Sequence, residues 1–398
     1  MTGSGFAQAL VFGFLSNPAS TRAELNQAAA TAGMDMSTQG FDQRFNAKAV
    51  VFLDTLLQAV LEQVVTGITG TASLLSRFSG VYVMDSSMVN LPPALAAVWQ
   101  GNNSVDDAAV KVAVQWDVQA GSLGLWLSGG RVHDQRTGVG ATILPPGSLR
   151  LADLGFFNLE RFQDDLSRQV DFFSRYKLGT SLFTRAGQAL DLAALLRRQG
   201  TRPLDLPILL GAHRLTCRLM ALPVSAEVKG KRRARLRQTA RRKQQPVSAA
   251  ALALAGWTLY VTSLPAERLA LSEAPILGMT RWQIERLFKL WKSSGLLDEW
   301  RSHDPWRVWS EFYGKLLALL VQHWLLLVSA WQRLDRSLHR AVQVIRKHAF
   351  HLAATFHTLN AFTLALTVVA RVVLQTCGMS KRAAHPLTFQ YWLKSDFA

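Results

Sequence analysis

The sequence predicts an α/β protein in which a mixed sheet, covered by helices, is flanked by helical regions at both ends of the chain. Three observations lead to this class. Apolar residues recur at helical spacing up to about residue 78 and again from Trp282 onward. Between those regions the period changes to two, and Gly-rich turns separate short alternating runs. The runs come first as consecutive strands and then as strand, helix, strand, an order that builds a mixed sheet with a helical cover.

Each element has its own signal. Thr21-Arg-Ala-Glu24 is a capping-box pattern, Gly33 follows the helix it opens, and Ala47 to Val64 carries helically spaced apolar residues. Ser37 to Phe45 reads either as part of a helix-turn-helix touching DNA or as a packing turn. Val81 to Asp85, Ala109 to Val118 and Ser122 to Leu127 alternate as strands joined by short loops. A strand over Ser148 to Asp153, a helix over Leu159 to Gln169 and a strand over Phe172 to Tyr176 follow. Strand-like runs at Ile208 to Leu210, Leu215 to Leu222 and Leu252 to Val261 then flank a charge run, and the chain is helical from Trp282 to about Cys377. The expected division is 1–78, 79–177, 178–277, 278–303 and 304–398.

With 398 residues, 49% hydrophobic and 18% charged, the chain buries a sizeable core, which excludes a disordered tail. A net charge of +17 points to a polyanionic partner, nucleic acid first and an anionic membrane surface second. Nine cations without an acid between them, Lys229, Lys231, Arg232, Arg233, Arg235, Arg237, Arg241, Arg242 and Lys243, carry about half of that charge and suit phosphate contacts. Two cysteines, Cys217 and Cys377, exclude a disulfide framework and a four-thiolate zinc site and fit a reducing compartment. Met1 to Ser16 lacks a basic start and a cleavage pattern, so a cytoplasmic location is expected rather than export. Leu317 to Ala330 and Leu359 to Val373 are apolar but shorter than the ~20 residues of a spanning helix, and are expected as buried core helices. No Gly-rich phosphate loop followed by Lys-Ser or Lys-Thr is present, which argues against nucleotide hydrolysis.

Candidate chemistry centres on Arg281 to Lys292. At 100° per residue Arg281, Glu285, Lys289 and Lys292 share one helix face beside an apolar stripe of Ile284, Leu287, Phe288 and Trp291. One carboxylate among three cations fits either a surface ion-pair ladder or an acid that holds a metal while its neighbours grip phosphates. Asp85 and Asp153 each end a predicted strand in the same phase, where a buried acid is costly unless paired or bound to a cation. Three carboxylates without His or Cys suit two magnesium or manganese ions about 3.5–4 Å apart. His348, His351 and His357 read as ordinary helix residues, and His133-Asp134 reads as a turn that is also able to approach the acids.

In these residues the sequence resembles the DDE transposases of bacterial insertion sequences, in particular the insertion-sequence-4 family with its Tyr-x2-Arg-x3-Glu-x6-Lys signature. Arg281-x3-Glu285-x6-Lys292 matches the last three positions, and Val83-Met-Asp85-Ser-Ser, Ala152-Asp153-Leu-Gly-Phe-Phe, Leu259-Tyr-Val-Thr-Ser-Leu-Pro265 and Gln39 to Phe45 extend the likeness across most of residues 15 to 295. The resemblance implies a ribonuclease-H-like core with a β-rich insertion between Asp153 and Glu285, and metal ions held by Asp85, Asp153 and Glu285. It also implies DNA contacts by Arg281 and Lys292, and cut-and-paste chemistry at the inverted-repeat ends of the element by a homodimer. Trp257 lies 21 residues before the first signature position, where hairpin-forming relatives carry a Trp that stacks on a flipped base, although a Trp in an apolar strand equally suits the core. The chain departs from the signature at its first position, where Gly278 replaces Tyr. The rivals are a DNA-binding derivative without activity and a membrane-associated basic protein.

Overall fold

The computed structural model describes residues 2–67, 72–101, 107–384 and 386–394; Met1 and residues 68–71 of the expected N-terminal helical region lie outside them. The strands are β1 (Val81–Leu91), β2 (Ala108–Asp117), β3 (Leu123–Gly129), β4 (Leu149–Ala152), β5 (Asp171–Arg175), β6 (Leu182–Phe183), β7 (Leu204–Leu210), β8 (Leu215–Pro223) and β9 (Trp257–Thr262). The helices up to the basic run are α1 (Gly3–Ser16), α2 (Arg22–Thr31), α3 (Thr38–Asp42), α4 (Ala47–Leu61), α5 (Gly138–Ala141), α6 (Leu159–Ser167), α7 (Leu192–Gln199) and α8 (Ala226–Arg242). Then come α9 (Ala249–Leu254), α10 (Ala274–Arg281), α11 (Gln283–Ser293), α12 (Pro305–Ala330), α13 (Leu338–Thr355), α14 (Leu359–Thr376) and α15 (Thr388–Lys394). They fall into two units, one of Met1–Ser73, Asp85–Ala141 and Trp282–Ala398, the other of Leu74–Met84 and Thr142–Arg281.

In the first unit α12 is the central helix, packed by α1, α4, α13 and α14. It starts where Asp304 accepts a hydrogen bond from the Arg307 amide and Pro305 takes the first helical position, where its missing N–H costs nothing. Thr21 and Glu24 form the reciprocal capping box at the start of α2, and Gly33, beyond its end, has φ +79°. β3 pairs antiparallel with β2, which neighbours β1. Of the two apolar C-terminal helices, α12 is the buried core helix expected and α14 is not. Both α12 and α14 are long and apolar enough, by length and composition, to cross a membrane, and α12 is 83% buried whereas α14 is 17% buried over the most apolar stretch. α14 inserts only Ala365, Val369 and Val373, at a spacing of four, and leaves Leu359 and Leu364 exposed. Hydropathy reads composition, and it does not report how many neighbours a helix has.

In the second unit Val81–Val83 of β1 pairs parallel with Leu149–Leu151 of β4, and β4 pairs parallel with β5. β9, β8, β7 and β6 continue outward from β5 in antiparallel order. Val81, Val83, Leu149, Leu151 and Phe172 are fully buried, and α6 covers the sheet by stacking Phe162 on Phe172, ring centroids 4.3 Å apart. Arg150 of β4 and Asp165 of α6 form a buried ion pair, with a second bond from Nη2 to Oδ1 at 2.9 Å, so the helix is pinned by charge as well as by packing.

Four local expectations are corrected. β1 does not end at Asp85 but runs on to Leu91, since Ser-Ser-Met-Val-Asn holds no glycine or proline to break it, and Pro92-Pro93 stops it. Even so, the connection from Leu91 to Ala108 is long rather than short. The basic run is helix α8, opened by the Ser225 cap, and Leu252–Leu254 belongs to the alanine-rich helix α9 rather than to a strand. The helix expected through Arg281 to Lys292 is interrupted at Trp282, which separates α10 from α11.

Candidate active site

In the first unit Asp85 lies half-buried within β1, and its Oδ1 accepts from the Ser86 amide at 2.8 Å. The Ser86 hydroxyl donates to Asp134 at 2.7 Å, and the Lys111 ammonium donates to the same carboxylate at 2.9 Å. Burial pushes the Asp134 carboxyl upward, but the Ser86 and Lys111 donors outweigh it and hold the group below its ordinary value, so it stays ionised. His133-Asp134 is thus a turn that also braces the strand at the residue next to Asp85. The sequence reading missed Lys111, yet a lone lysine inside Ala-Val-Lys-Val-Ala at a buried strand position signals a bound anion.

Helix α11 buries Ile284, Leu287, Phe288, Leu290 and Trp291, which is the apolar stripe read from the sequence. That burial leaves Glu285 in the first turn half-buried and Lys289 exposed on the other side. Lys292, seven residues after Glu285, donates to the Met88 carbonyl of β1 at 2.6 Å and lies 3.7 Å from Asp298. Its ammonium therefore ties α11 to the strand that carries Asp85.

In the second unit Asp153 follows directly on β4 in extended conformation, with its side chain 36% exposed. Arg281, the last residue of α10 and itself buried, holds Nη1 3.7 Å from Asp153 Oδ2, too long for a hydrogen bond but close enough for attraction. On the basic helix α8 no residue is buried; Arg232 and Arg233 turn inward to carbonyl oxygens of Trp257 and Leu252, and Lys231 pairs with Glu227 at 2.6 Å. Arg235, Arg237, Arg241, Arg242 and Lys243 are exposed, and Lys229 is half-buried. Trp257 opens β9, is 8% exposed, and lines a cavity of about 440 Å³ with Arg175, Arg232 and Arg235.

Among the described residues, no group of three or more His, Cys, Asp or Glu side chains is gathered closely enough to hold a metal ion. The donor set of Asp85, Asp153 and Glu285 is all carboxylate oxygen, the chemistry that suits a hard divalent cation. His348 and His351 are ordinary residues of α13, whereas His357 lies between α13 and α14 rather than in a helix, its ring within 3.1 Å of the Ala32 carbonyl. Cys217 and Cys377 are buried free thiols, and burial pushes Cys217 up to about 12, which leaves it inert.

Residues 76–321 match the family model of the transposase DDE domain. The chain belongs to the DDE transposases. It is 26% identical over 383 residues to the transposase for insertion sequence element IS231F of Bacillus thuringiensis subsp. israelensis, covering 89% of this chain and 80% of that protein. It is 27% identical over 319 residues to the transposase for IS231C of Bacillus thuringiensis subsp. berliner, covering 74% and 67%. A third relative, the transposase for IS231E of Bacillus thuringiensis subsp. finitimus, is 24% identical over 356 residues, covering 82% and 74%. A DDE transposase is an enzyme that acts on DNA and depends in general on a divalent metal.

Proposed function

We propose that this transposase cuts DNA at the inverted-repeat ends of an insertion sequence and joins the freed ends to target DNA, with Asp85, Asp153 and Glu285 as its metal-holding carboxylates. The reading rests on strand register. Val83 pairs with Leu151 between parallel strands; Asp85 lies two residues beyond Val83 within β1, and Asp153 two beyond Leu151, in extended conformation just past the end of β4. Residues two apart on a strand share a face, so both acids keep the phase of a buried valine or leucine. In the second unit β1, β4 and β5 run parallel, and in the first β3 is antiparallel to β2; each pattern supports a ribonuclease-H-like core, to which β9, β8, β7 and β6 add the insertion.

Two magnesium or manganese ions, when bound, supply an activated water on one side of the scissile phosphate and charge stabilisation of the leaving oxygen on the other. The chain's own residues do the rest. Lys292 fixes α11 on β1 and so sets where Glu285 stands, Arg281 draws DNA phosphate toward Asp153, and the exposed cations of α8 track the backbone on either side. Two copies of the chain acting on paired ends complete the reaction, and the exposed apolar face of α14 is available to such an assembly. The N-terminal helices 1–78 serve as an end-recognition module in this scheme, which runs in the bacterial cytoplasm.

The test is incubation of the purified protein with a labelled duplex carrying an element end, in magnesium and in EDTA. Metal-dependent release of a 3′ hydroxyl end, followed by joining to a second duplex, is the expected result. Tight binding without cleavage in magnesium or manganese contradicts the reading. Electrophoresis under denaturing conditions separates a hairpin end from two independent nicks and so reads the part played by Trp257.

A further inference from the structure

Gly278 stands at the signature position that resemblance assigns to tyrosine, and the space beside it is filled from another element. A Cβ built on Gly278 would come within 2.5 Å of the Tyr260 hydroxyl oxygen and 3.1 Å of the ring carbon that bears it. No side chain fits at 278 while Tyr260 points there. Tyr260 lies in the middle of β9, its ring packed on Phe173 with centroids 4.8 Å apart, so its reach to α10 is set by the sheet.

Three guanidinium groups share its surroundings. Arg175 is the cross-strand partner of Tyr260 between β5 and β9. Arg232 reaches over from α8, donating to the Trp257 carbonyl at 2.7 Å and to the Thr258 hydroxyl at 3.1 Å, and Thr258 alternates onto the same strand face as Tyr260. Arg281 lies one helical turn beyond Gly278. Burial pushes the Tyr260 phenol above its ordinary value while the charges of Arg175, Arg232 and Arg281 pull against it, so the hydroxyl keeps its proton and remains a donor. Burial, and after it the like charge of Arg175, lowers Arg232, as expected of a half-buried cation close to another. Three fork-shaped cations and one hydroxyl donor match an anion with several acceptor oxygens.

We infer that Tyr260, with Arg175, Arg232 and Arg281, grips one backbone phosphate of the DNA beside Asp153, and that glycine at 278 is what makes room for this tyrosine to replace the missing one of the signature. The inference rests on the DNA-cleaving reading above and adds Tyr260 and Arg175 to its contacts. The two residues form a swap: a tyrosine on the sheet with glycine on the helix, in place of the reverse arrangement.

The experiment measures binding to the labelled end duplex across a salt titration, and cleavage in magnesium, for the full chain. Tyr260→Phe keeps the ring against Phe173 and is expected to weaken binding and slow cleavage about tenfold, the loss of one phosphate hydrogen bond, with an unchanged salt slope because no charge is lost. Arg175→Gln is expected to lower the slope of log affinity against log salt by about 0.9. Gly278→Ala is expected to impair cleavage by colliding with Tyr260. The double variant Tyr260→Leu/Gly278→Tyr is expected to recover cleavage to within about threefold of the wild type, whereas Tyr260→Leu alone stays low. Wild-type binding and cleavage by Tyr260→Phe, or a double variant no better than Tyr260→Leu, would overturn the inference. Should the wild type bind and not cut, the cleavage reading falls, and the binding measurements on Tyr260→Phe and Arg175→Gln still decide the phosphate grip.

Discussion

Helix α8 buries none of its residues and carries five exposed cations on or just past its last three turns, whereas α11 buries five apolar residues and commits one of its cations, Lys292, to the Met88 carbonyl. Both helices are basic, and basicity means different things in the two. On α8 the charges repel one another at helical spacing, so a helix of this kind is stabilised by whatever anions neutralise it, with no single position required. On α11 the buried stripe fixes the rotation of the helix, and with it the one direction in which Glu285 projects. Charge density reports affinity, and charge placement reports chemistry.

The sharpest way to break this comparison is to remove charge from each helix in turn. Glu285→Gln is expected to lower the cleavage rate by at least about a thousandfold while end binding changes less than twofold, measured on the same labelled duplex. A matching loss of binding would erase the distinction between the helices. Replacing Arg235, Arg237 and Arg241 by Gln is expected to reduce the salt slope of binding by about 0.9 for each phosphate that is no longer neutralised, with cleavage per bound complex unchanged.

Two smaller effects concern the frame behind α11 and should touch stability alone. His323 of α12 is buried, its Nε2–H donating to the Gly121 carbonyl at 2.6 Å, and burial pulls it from 6.5 to about 4. As pH falls through 6.5 the unfolded chain takes up a proton that the folded chain refuses until about 4, so stability is full above 6.5 and declines below it. At about 1.4 kcal/mol for each pH unit between those values the loss reaches about 3 kcal/mol. Denaturant midpoints between pH 7 and 4.5 are expected to fall more steeply for the wild type than for His323→Gln. Gly33 has φ +79° and nothing within 4 Å of an added Cβ, so Gly33→Ala carries only the left-handed backbone penalty, about 1 kcal/mol, read as a small drop in melting temperature with cutting intact.

The fold was readable wherever local chemistry decides it. The Thr21 capping box, the strand β2 and the strand, helix, strand order around α6 depend on neighbours in sequence, and all appear, although β2 is buried on both faces rather than on one. β1 beyond Asp85 was missed because Ser-Ser-Met-Val-Asn carries little alternation, and α14 was expected in the core because its composition resembles that of α12. In the candidate site, motif spacing named residues along the chain, and it could not name side chains that meet by reaching across the fold. Lys111 meets Asp134 from 23 residues away, and Tyr260 meets Gly278 from a different element. Only the odd lysine in an apolar strand and the glycine in a tyrosine's place hinted at them.

The claim on which the account turns is that three acids from distant points of the chain act as one set. Cleavage of the labelled end duplex in magnesium by Asp85→Ala and Asp153→Ala, beside Glu285→Gln and with binding measured in parallel, tests it most directly. All three variants are expected to bind as the wild type does and to cut at least about a thousandfold more slowly. Wild-type cutting by any one of them would contradict it.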